Sequence, residues 1–379
     1  MQAKQFLLVY VLHNILAFLI IISMVNFSDY IVNISNLKHN LKLVKDKVGV
    51  KTKVCAMVKA DAYGHGLKDI CEGLKGVDFF GVASVYEAML IRKFDKFTNI
   101  LIVGTLNKEY VSWCAINNVS VEVSSFNELQ NIVSILDGLK LKIHIKVNTG
   151  LNRIGVRTIK EFKKILRLFA LNSNLILEGV FTHFATKFDD IPFVFKQHKS
   201  FMNFVRFVDN SSVIVHCSNS FVSVMFPCFS YGMVRCGFNL YGWQANCGLP
   251  FRPVLSILSK IAFIQKVKKG ETVGYDRTFV ANKNMKIAVV PLGYADGLDR
   301  RLSNNFCLVV CGHKARIVGN ICMDVCLLDV TDIECEIGSQ VLILGENLTP
   351  QDYATVLGTS PYEILLKFRY NRMNKILKF

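Results

Sequence analysis

The chain has 379 residues, enough for two domains, and 51% of them are hydrophobic against 20% charged, which excludes a disordered polar chain and supports a large packed core. The formal net charge of +16 comes from lysines scattered among Asn, Ile and Phe. No dense basic block with interleaved aromatics accompanies it, so the charge does not mark a nucleic-acid surface.

In chain order, the first feature is a nearly continuous apolar run, Phe6 to Val25. It is long enough to span a bilayer, but His13 and Asn14 interrupt it and no small-residue cleavage site follows. Were it inserted, Lys38, Lys42, Lys45 and Lys47 would hold the rest of the chain on the cytoplasmic side. The favoured expectation is a dispensable extension (residues 1–25), or a start of translation at Met24, with a cytoplasmic protein behind it.

From residue 54 to about 245, eight short apolar runs alternate with segments of helical period. The runs are Val54–Val58, Phe79–Ala83, Ile100–Gly104, Val119–Val123, Leu141–Val147, Ile176–Thr182, Ser212–Cys217 and Met233–Cys236. Segments such as Tyr86–Phe94, Phe126–Leu136, Thr158–Leu171 and Val194–Val208 lie between them. This alternation predicts a (β/α)8 TIM-type barrel over residues 26–250. No GxGxxG follows the first run, so nothing favours a dinucleotide-binding sheet. After Leu249-Pro250-Phe251-Arg252-Pro253 the pattern becomes strand-rich: Val254–Val267, Lys286–Val290, Phe306–Cys311, Ala315–Val318, Cys322–Val330 and Gln340–Gly345. A mainly-β domain is therefore expected over residues 251–379.

The twelve cysteines include no CxxC pair. Cys307/Cys311 and Cys322/Cys326 stand four apart without a histidine pair, so neither metal nor disulfides are expected. They read as small buried hydrophobes in a reducing cytoplasm.

Chemistry is expected where barrel strands end. The first run ends in Lys59, opening Lys59-Ala60-Asp61-Ala62-Tyr63-Gly64-His65-Gly66. A lysine at a buried strand end either reaches solvent or has its amine made nucleophilic by burial, as Schiff-base chemistry requires. The fifth run continues into Lys146-Val147-Asn148-Thr149-Gly150-Leu151-Asn152-Arg153, the sixth into Thr182-His183. The seventh leads through His216 to Ser218-Asn219-Ser220, and the eighth gives Arg235-Cys236-Gly237-Phe238. Ser220, the N–H groups of Gly237 and Phe238, and the Tyr63 hydroxyl are suitable phosphate donors.

The octapeptide resembles the cofactor-lysine motif of the alanine racemase family, and the resemblance extends from about Ile31 to Arg372. It implies a homodimer that uses pyridoxal 5'-phosphate (PLP) and acts on a small amino acid, with D-alanine for peptidoglycan as the product. It implies that Lys59 carries the cofactor and is one catalytic base, and that Arg235 faces the pyridine nitrogen. Arg153 would orient the substrate carboxylate. Lys146 would match the lysine that is often carbamylated and steadies that arginine. His183 would hydrogen-bond the second base. The resemblance gives that role to Tyr275, in Val273-Gly274-Tyr275-Asp276-Arg277-Thr278-Phe279. Pro291-Leu292-Gly293-Tyr294-Ala295-Asp296-Gly297 resembles the substrate-channel segment. Gly319-Asn320-Ile321-Cys322-Met323-Asp324 resembles the substrate loop, with the Met323 backbone on the carboxylate. Tyr362 would lie near the phosphate, and the β domain would complete the partner's site. Asn148 and Asn33 stand where the family usually has Asp, and Phe238 is bulkier than usual. The alternatives are a broader racemase of the same fold, acting on serine or lysine, and a non-catalytic PLP-binding protein.

Overall fold

The computed structural model describes residues 27–379 apart from 186–189, 210–211 and 244–246. The apolar run Phe6–Val25 therefore lies outside the described residues. Among the described residues, no helix is long and apolar enough to cross a membrane. The chain divides into two units, one formed by Ile34–Arg252 and the other by Pro253–Phe379 together with the opening strand.

That opening strand, β1 (Asp29–Asn33), corrects the sequence reading, which placed it with the barrel. It pairs antiparallel with β10 (Leu255–Lys260) and parallel with β19 (Asn374–Lys378). Tyr30, Ile31 and Val32 are all buried, as in a strand covered on both faces, but an apolar run alone does not say which sheet it joins.

All eight strands expected for the barrel form, as β2 (Lys53–Met57), β3 (Phe79–Val82), β4 (Asn99–Ile102), β5 (Val119–Val123), β6 (Leu141–Lys146), β7 (Leu175–Phe181), β8 (Ile214–His216) and β9 (Met233–Cys236). They make one parallel sheet in the order β8-β7-β6-β5-β4-β3-β2-β9. Backbone bonds from Gly232 N–H to Val215 O and from Arg235 N–H to Ser218 O, each 3.0 Å, tie its two edges together. A parallel strand is buried on both faces, which is why these segments read as unbroken apolar runs. The helices include α1 (Ile34–Val48), α2 (Leu67–Gly73), α3 (Val85–Arg92), α4 (Val111–Ile116), α5 (Phe126–Val133), α6 (Ile159–Leu171), α7 (Ile191–Val205) and α8 (Ser220–Met225). Several start on side-chain caps: Ser84 with Glu87 makes a capping box, and Ser125 and Thr158 accept from the N–H of Glu128 and Glu161. Helix α1, unanticipated from sequence, is fastened to the end of the barrel segment by buried Asn40. Its amide donates to Leu240 O and Arg252 O and accepts from Arg252 N–H, at 2.7–2.9 Å.

In the second unit, β10 joins a six-stranded sheet, β16-β15-β18-β10-β1-β19, with β15 (Cys307–Val310), β16 (His313–Arg316) and β18 (Gln340–Leu344). The single run expected over Val254–Val267 is two strands in different sheets. After Lys260 the chain turns, and β11 (Phe263–Val267) pairs with β14 (Met285–Val290), which pairs with β17 (Cys326–Asp329). The two-residue strands β12 (Thr272–Val273) and β13 (Phe279–Val280) form a small hairpin. Two helices close the domain, α9 (Pro350–Leu357) and α10 (Pro361–Lys367), each with Pro in its first turn.

Candidate active site

Lys59 leaves β2 into an unusual turn. Ala60, Asp61, Ala62 and Tyr63 all have φ between 51° and 55°, so four consecutive non-glycine residues are left-handed. Each such residue costs roughly 1–2 kcal/mol, and the turn persists because it is held at both ends. Glu87 accepts from Ala60 N–H at 2.7 Å, and the Asp61 carboxylate accepts from Leu67 N–H at 2.6 Å. Backbone bonds Ala62 N–H to Val58 O and Gly64 N–H to Ala60 O, both 2.9 Å, close it. This strain aims the half-buried Lys59 amine at the C-terminal mouth of the barrel. Burial, then the nearby Arg153 guanidinium, lowers the ammonium's pKa below the usual lysine range, while Glu87 opposes them. An amine so destabilised as a cation is a better nucleophile and base.

The same turn brings Tyr63 to the phosphate-type donors. Its ring packs on buried Tyr241, centroids 5.0 Å apart, and Tyr241 is anchored by its hydroxyl on Met57 O at 3.0 Å. The Tyr63 hydroxyl lies over Gly237 so closely that a Cβ there would sit 2.7 Å from the oxygen. Gly237 N–H donates to buried Ser220 Oγ at 2.9 Å. Tyr63, Ser220, Gly237 and buried Phe238 thus meet between the ends of β2 and β9, as the sequence anticipated.

Arg235 is buried at the end of β9, and among the described residues no carboxylate bonds to it. Its guanidinium donates to Thr182 O at 2.7 Å, Cys217 O at 3.3 Å, His216 Nδ1 at 2.7 Å and His183 Nδ1 at 3.2 Å. Because a guanidinium only donates, both histidines must accept on Nδ1 and carry their proton on Nε2. For His216 this proton meets His144 Nδ1 at 2.8 Å, so His144 in turn donates from Nε2 to Glu178 at 3.0 Å. A fixed chain of tautomers runs Arg235–His216–His144–Glu178, and it delivers a distant carboxylate's charge to a buried guanidinium. Gly179 makes room for it, since a Cβ there would run into the His144 ring. For His183 the Nε2–H is left as a donor. Burial first, then the cations Arg235, Arg153, Lys146 and Lys59, hold His183 far below the ordinary histidine range, hence neutral.

Burial alone would raise the Glu178 carboxyl, but His144, the Ser120 hydroxyl and Lys142 outweigh it and hold it below the usual range. A depressed folded pKa contributes stability fully present above the unfolded value of about 4.3 and lost as pH falls below it. Glu178→Gln is expected to cost about 2 kcal/mol at neutral pH and to flatten the acid limb of stability. Urea midpoints of both proteins between pH 3 and 7 check this. An acid limb of unchanged slope would refute it.

Lys146, at the end of β6, is buried and ion-paired with Glu122 on β5. Arg153 is exposed in the following loop. Asn148 organises that loop, accepting on Oδ1 from Gly150 N–H at 3.0 Å and Asn152 N–H at 3.1 Å. An amide oxygen serves here as an Asp carboxylate would, so this departure from the family pattern leaves the loop intact.

In the other unit, Tyr275 sits in a tight turn between Gly274 (φ 76°) and Asp276 (φ 59°). Asn320 donates to Tyr275 O at 3.1 Å and to the Asp276 carboxylate at 2.9 Å. Tyr294 N–H and Ala295 N–H donate to Cys322 O and Met323 O at 3.1 and 3.0 Å. Arg372 pairs with Asp324 at 2.6 Å and Asp296 at 3.3 Å. Three loops, 274–278, 293–297 and 319–324, are thereby gathered on one unit. They leave Tyr275 71%, Met323 54% and Tyr294 43% exposed, and Tyr362 is exposed on α10.

Sequence reasoning missed Glu122, Glu178, His144 and Glu87. A signal was present for three of them: Lys142, His144 and Lys146 recur at every second residue of β6, and Glu122 and Glu178 interrupt neighbouring apolar strands. Period-two polar residues in an apolar strand point into the barrel.

Two family models cover almost all the described chain: alanine racemase, N-terminal domain, over residues 32–245, and alanine racemase, C-terminal domain, over 254–376. The chain is 33% identical over 350 residues to alanine racemase 2 of Caldanaerobacter subterraneus subsp. tengcongensis, covering 88% of this chain and 90% of that one. The fold is similar to the solved alanine racemase of Clostridium difficile 630, with a TM-score of 0.85 at 30% identity over 93% of this chain and 96% of the other. At 24% identity it also shares the fold of the Bartonella henselae enzyme, solved with covalently bound pyridoxal phosphate (TM-score 0.85, covering 93% and 99%). The chain belongs to the alanine racemase family.

Proposed function

We propose that this PLP-dependent alanine racemase moves the α-proton of alanine with two bases, Lys59 on one face and Tyr275 on the other, and supplies D-alanine for peptidoglycan. The observation that supports it best is the half-buried, destabilised Lys59 ammonium beside a glycine-floored cradle of hydroxyl and N–H donors. Those residues fit the cofactor: Tyr63, Ser220, Gly237 and Phe238 would hold its phosphate, with Tyr362 nearby, and Arg235 would face its ring nitrogen. When bound, PLP supplies an electron sink that acidifies the substrate α-C–H.

The chain's own groups do the rest. Arg153 orients the substrate carboxylate, with the Met323 backbone as its second contact. The Lys59 amine takes or returns the α-proton on its face. The Tyr275 hydroxyl would do so on the opposite face, with the His183 Nε2–H and Arg153 as its supporting groups. Arg235 is held by acceptors on Thr182, Cys217, His216 and His183, and a guanidinium does not give up its proton at neutral pH, so it would not protonate a ring nitrogen. The exposure of Tyr275 and Met323 in a single chain favours a homodimer, in which each β domain completes the partner's site. In this reading the enzyme works in the cytoplasm.

Incubation with L-alanine in D2O tests the reading. Both enantiomers should accumulate with deuterium at Cα, and serine and lysine should turn over far more slowly. Absence of exchange would favour the non-catalytic alternative, and equal rates the broader racemase. A second test addresses the cradle. Gly237→Val puts a branched side chain where the Tyr63 hydroxyl sits, so the apoprotein's Kd for PLP should rise by about tenfold or more. Absorbance titration of folded apoprotein measures it, and an unchanged Kd would remove Gly237 from the phosphate site.

A further inference from the structure

Five ionisable side chains converge at the mouth of the barrel. Four are cations: Lys59, Lys146, Arg153 and Arg235 all act on His183. The fifth is Glu122, 1% exposed on β5, with both carboxylate oxygens 3.1 Å from the Lys146 amine. Ser124 Oγ donates a further bond to it at 3.2 Å. Lys146 is 4% exposed and lies 5.4 Å over the Phe181 ring. A buried, two-pronged carboxylate contact of this kind favours the charged form of the amine.

We propose that Glu122 is the resident anion of this site: it keeps Lys146 as an ammonium, excludes carbamylation of that lysine, and so anchors the loop that carries Arg153. This deepens the racemase reading and rests on it for the role of Arg153.

Carbamylation needs the unprotonated amine. Its lone pair would form a bond to the carbon of CO2, one carbon–oxygen π bond would open, and the nitrogen would lose a proton to water, leaving R–NH–COO⁻. The product would place a second anion against the Glu122 carboxylate in a buried site, where like charges repel strongly. Burial, aided by Arg153 and Arg235, lowers the Lys146 ammonium below the usual lysine range, and Glu122, with an oxygen in each near position, is the group that opposes that deprotonation. The consequence for the loop is direct. Lys146 O accepts from Val156 N–H at 2.9 Å, and Asn148 N–H donates to Val156 O at 3.0 Å. The ion pair thus sits at the root of the segment whose far limb bears Arg153, which makes Glu122 a positioning residue.

The experiment uses the holoenzyme equilibrated with 13C-bicarbonate and read by 13C NMR for a carbamate resonance. Wild type should show none, and its activity should not respond to bicarbonate. In Glu122→Gln the amine loses its anion, so a carbamate resonance should appear. KM for alanine should rise about tenfold or more in CO2-free buffer with kcat changed less, and bicarbonate should restore it in part. Glu122→Asp should recover most of the loss. A wild-type resonance that disappears in Lys146→Arg would overturn the proposal. So would a folded Glu122→Gln enzyme with unchanged KM. The wild-type spectrum is independent of turnover, and therefore separates failure of this proposal from failure of the racemase reading.

Discussion

Replacement of Lys59 by alanine is expected to give a folded protein with no measurable racemisation and no visible absorbance from bound cofactor. The lysine is half-buried at the end of β2, so stability should change little. In the proposed mechanism its amine holds the cofactor covalently and moves a proton, and each is worth orders of magnitude in rate. A loss of at least about 10³-fold follows. The absorbance spectrum, D-alanine production and thermal melting together check it. A variant that kept the absorbance of the protein-bound cofactor would move the attachment to another amine, and Lys146 would then be the nearest candidate.

Tyr275→Phe should have a comparable effect on turnover with a different spectral outcome. Tyr275 is exposed in a turn fixed by Asn320, and among the described residues no hydrogen bond to its hydroxyl is present, so cofactor absorbance and stability should stay as in wild type. Proton transfer on its face should fall by roughly 10²–10⁴-fold. Since interconversion requires both faces, racemisation falls in both directions. Mixing inactive Lys59→Ala with inactive Tyr275→Phe provides the sharper result. If subunits exchange, a mixed dimer holds one site with both defects and one with neither, and about a quarter of wild-type activity per dimer pool is the expected ceiling for random pairing with shared sites. Exchange without any return of activity would sink the shared-site arrangement. Full activity in Tyr275→Phe would make His183 the next candidate base.

The sequence by itself determined the strand–helix alternation of the barrel, because parallel strands buried on both faces must be continuous apolar runs. It also determined the identity of the residues at their ends. Lys59, Tyr63, Ser220, Arg235, Gly237 and Phe238 were legible because a barrel sends every strand end to one face, so positions far apart in sequence converge there. Tertiary structure decided what periodicity cannot encode. The apolar run Tyr30-Ile31-Val32 says that the strand is buried, but not in which sheet, and β1 proved to belong with β10 and β19. Four left-handed residues after Lys59 have no signature in Ala-Asp-Ala-Tyr, because the strain is stabilised by Glu87 and Asp61 through contacts made only in the fold. The Arg235–His216–His144–Glu178 chain and the Lys146–Glu122 pair join residues 19 to 72 positions apart, on different strands of the barrel. Their pairing depends on strand register, which is set by the packing of the whole barrel rather than by any local preference.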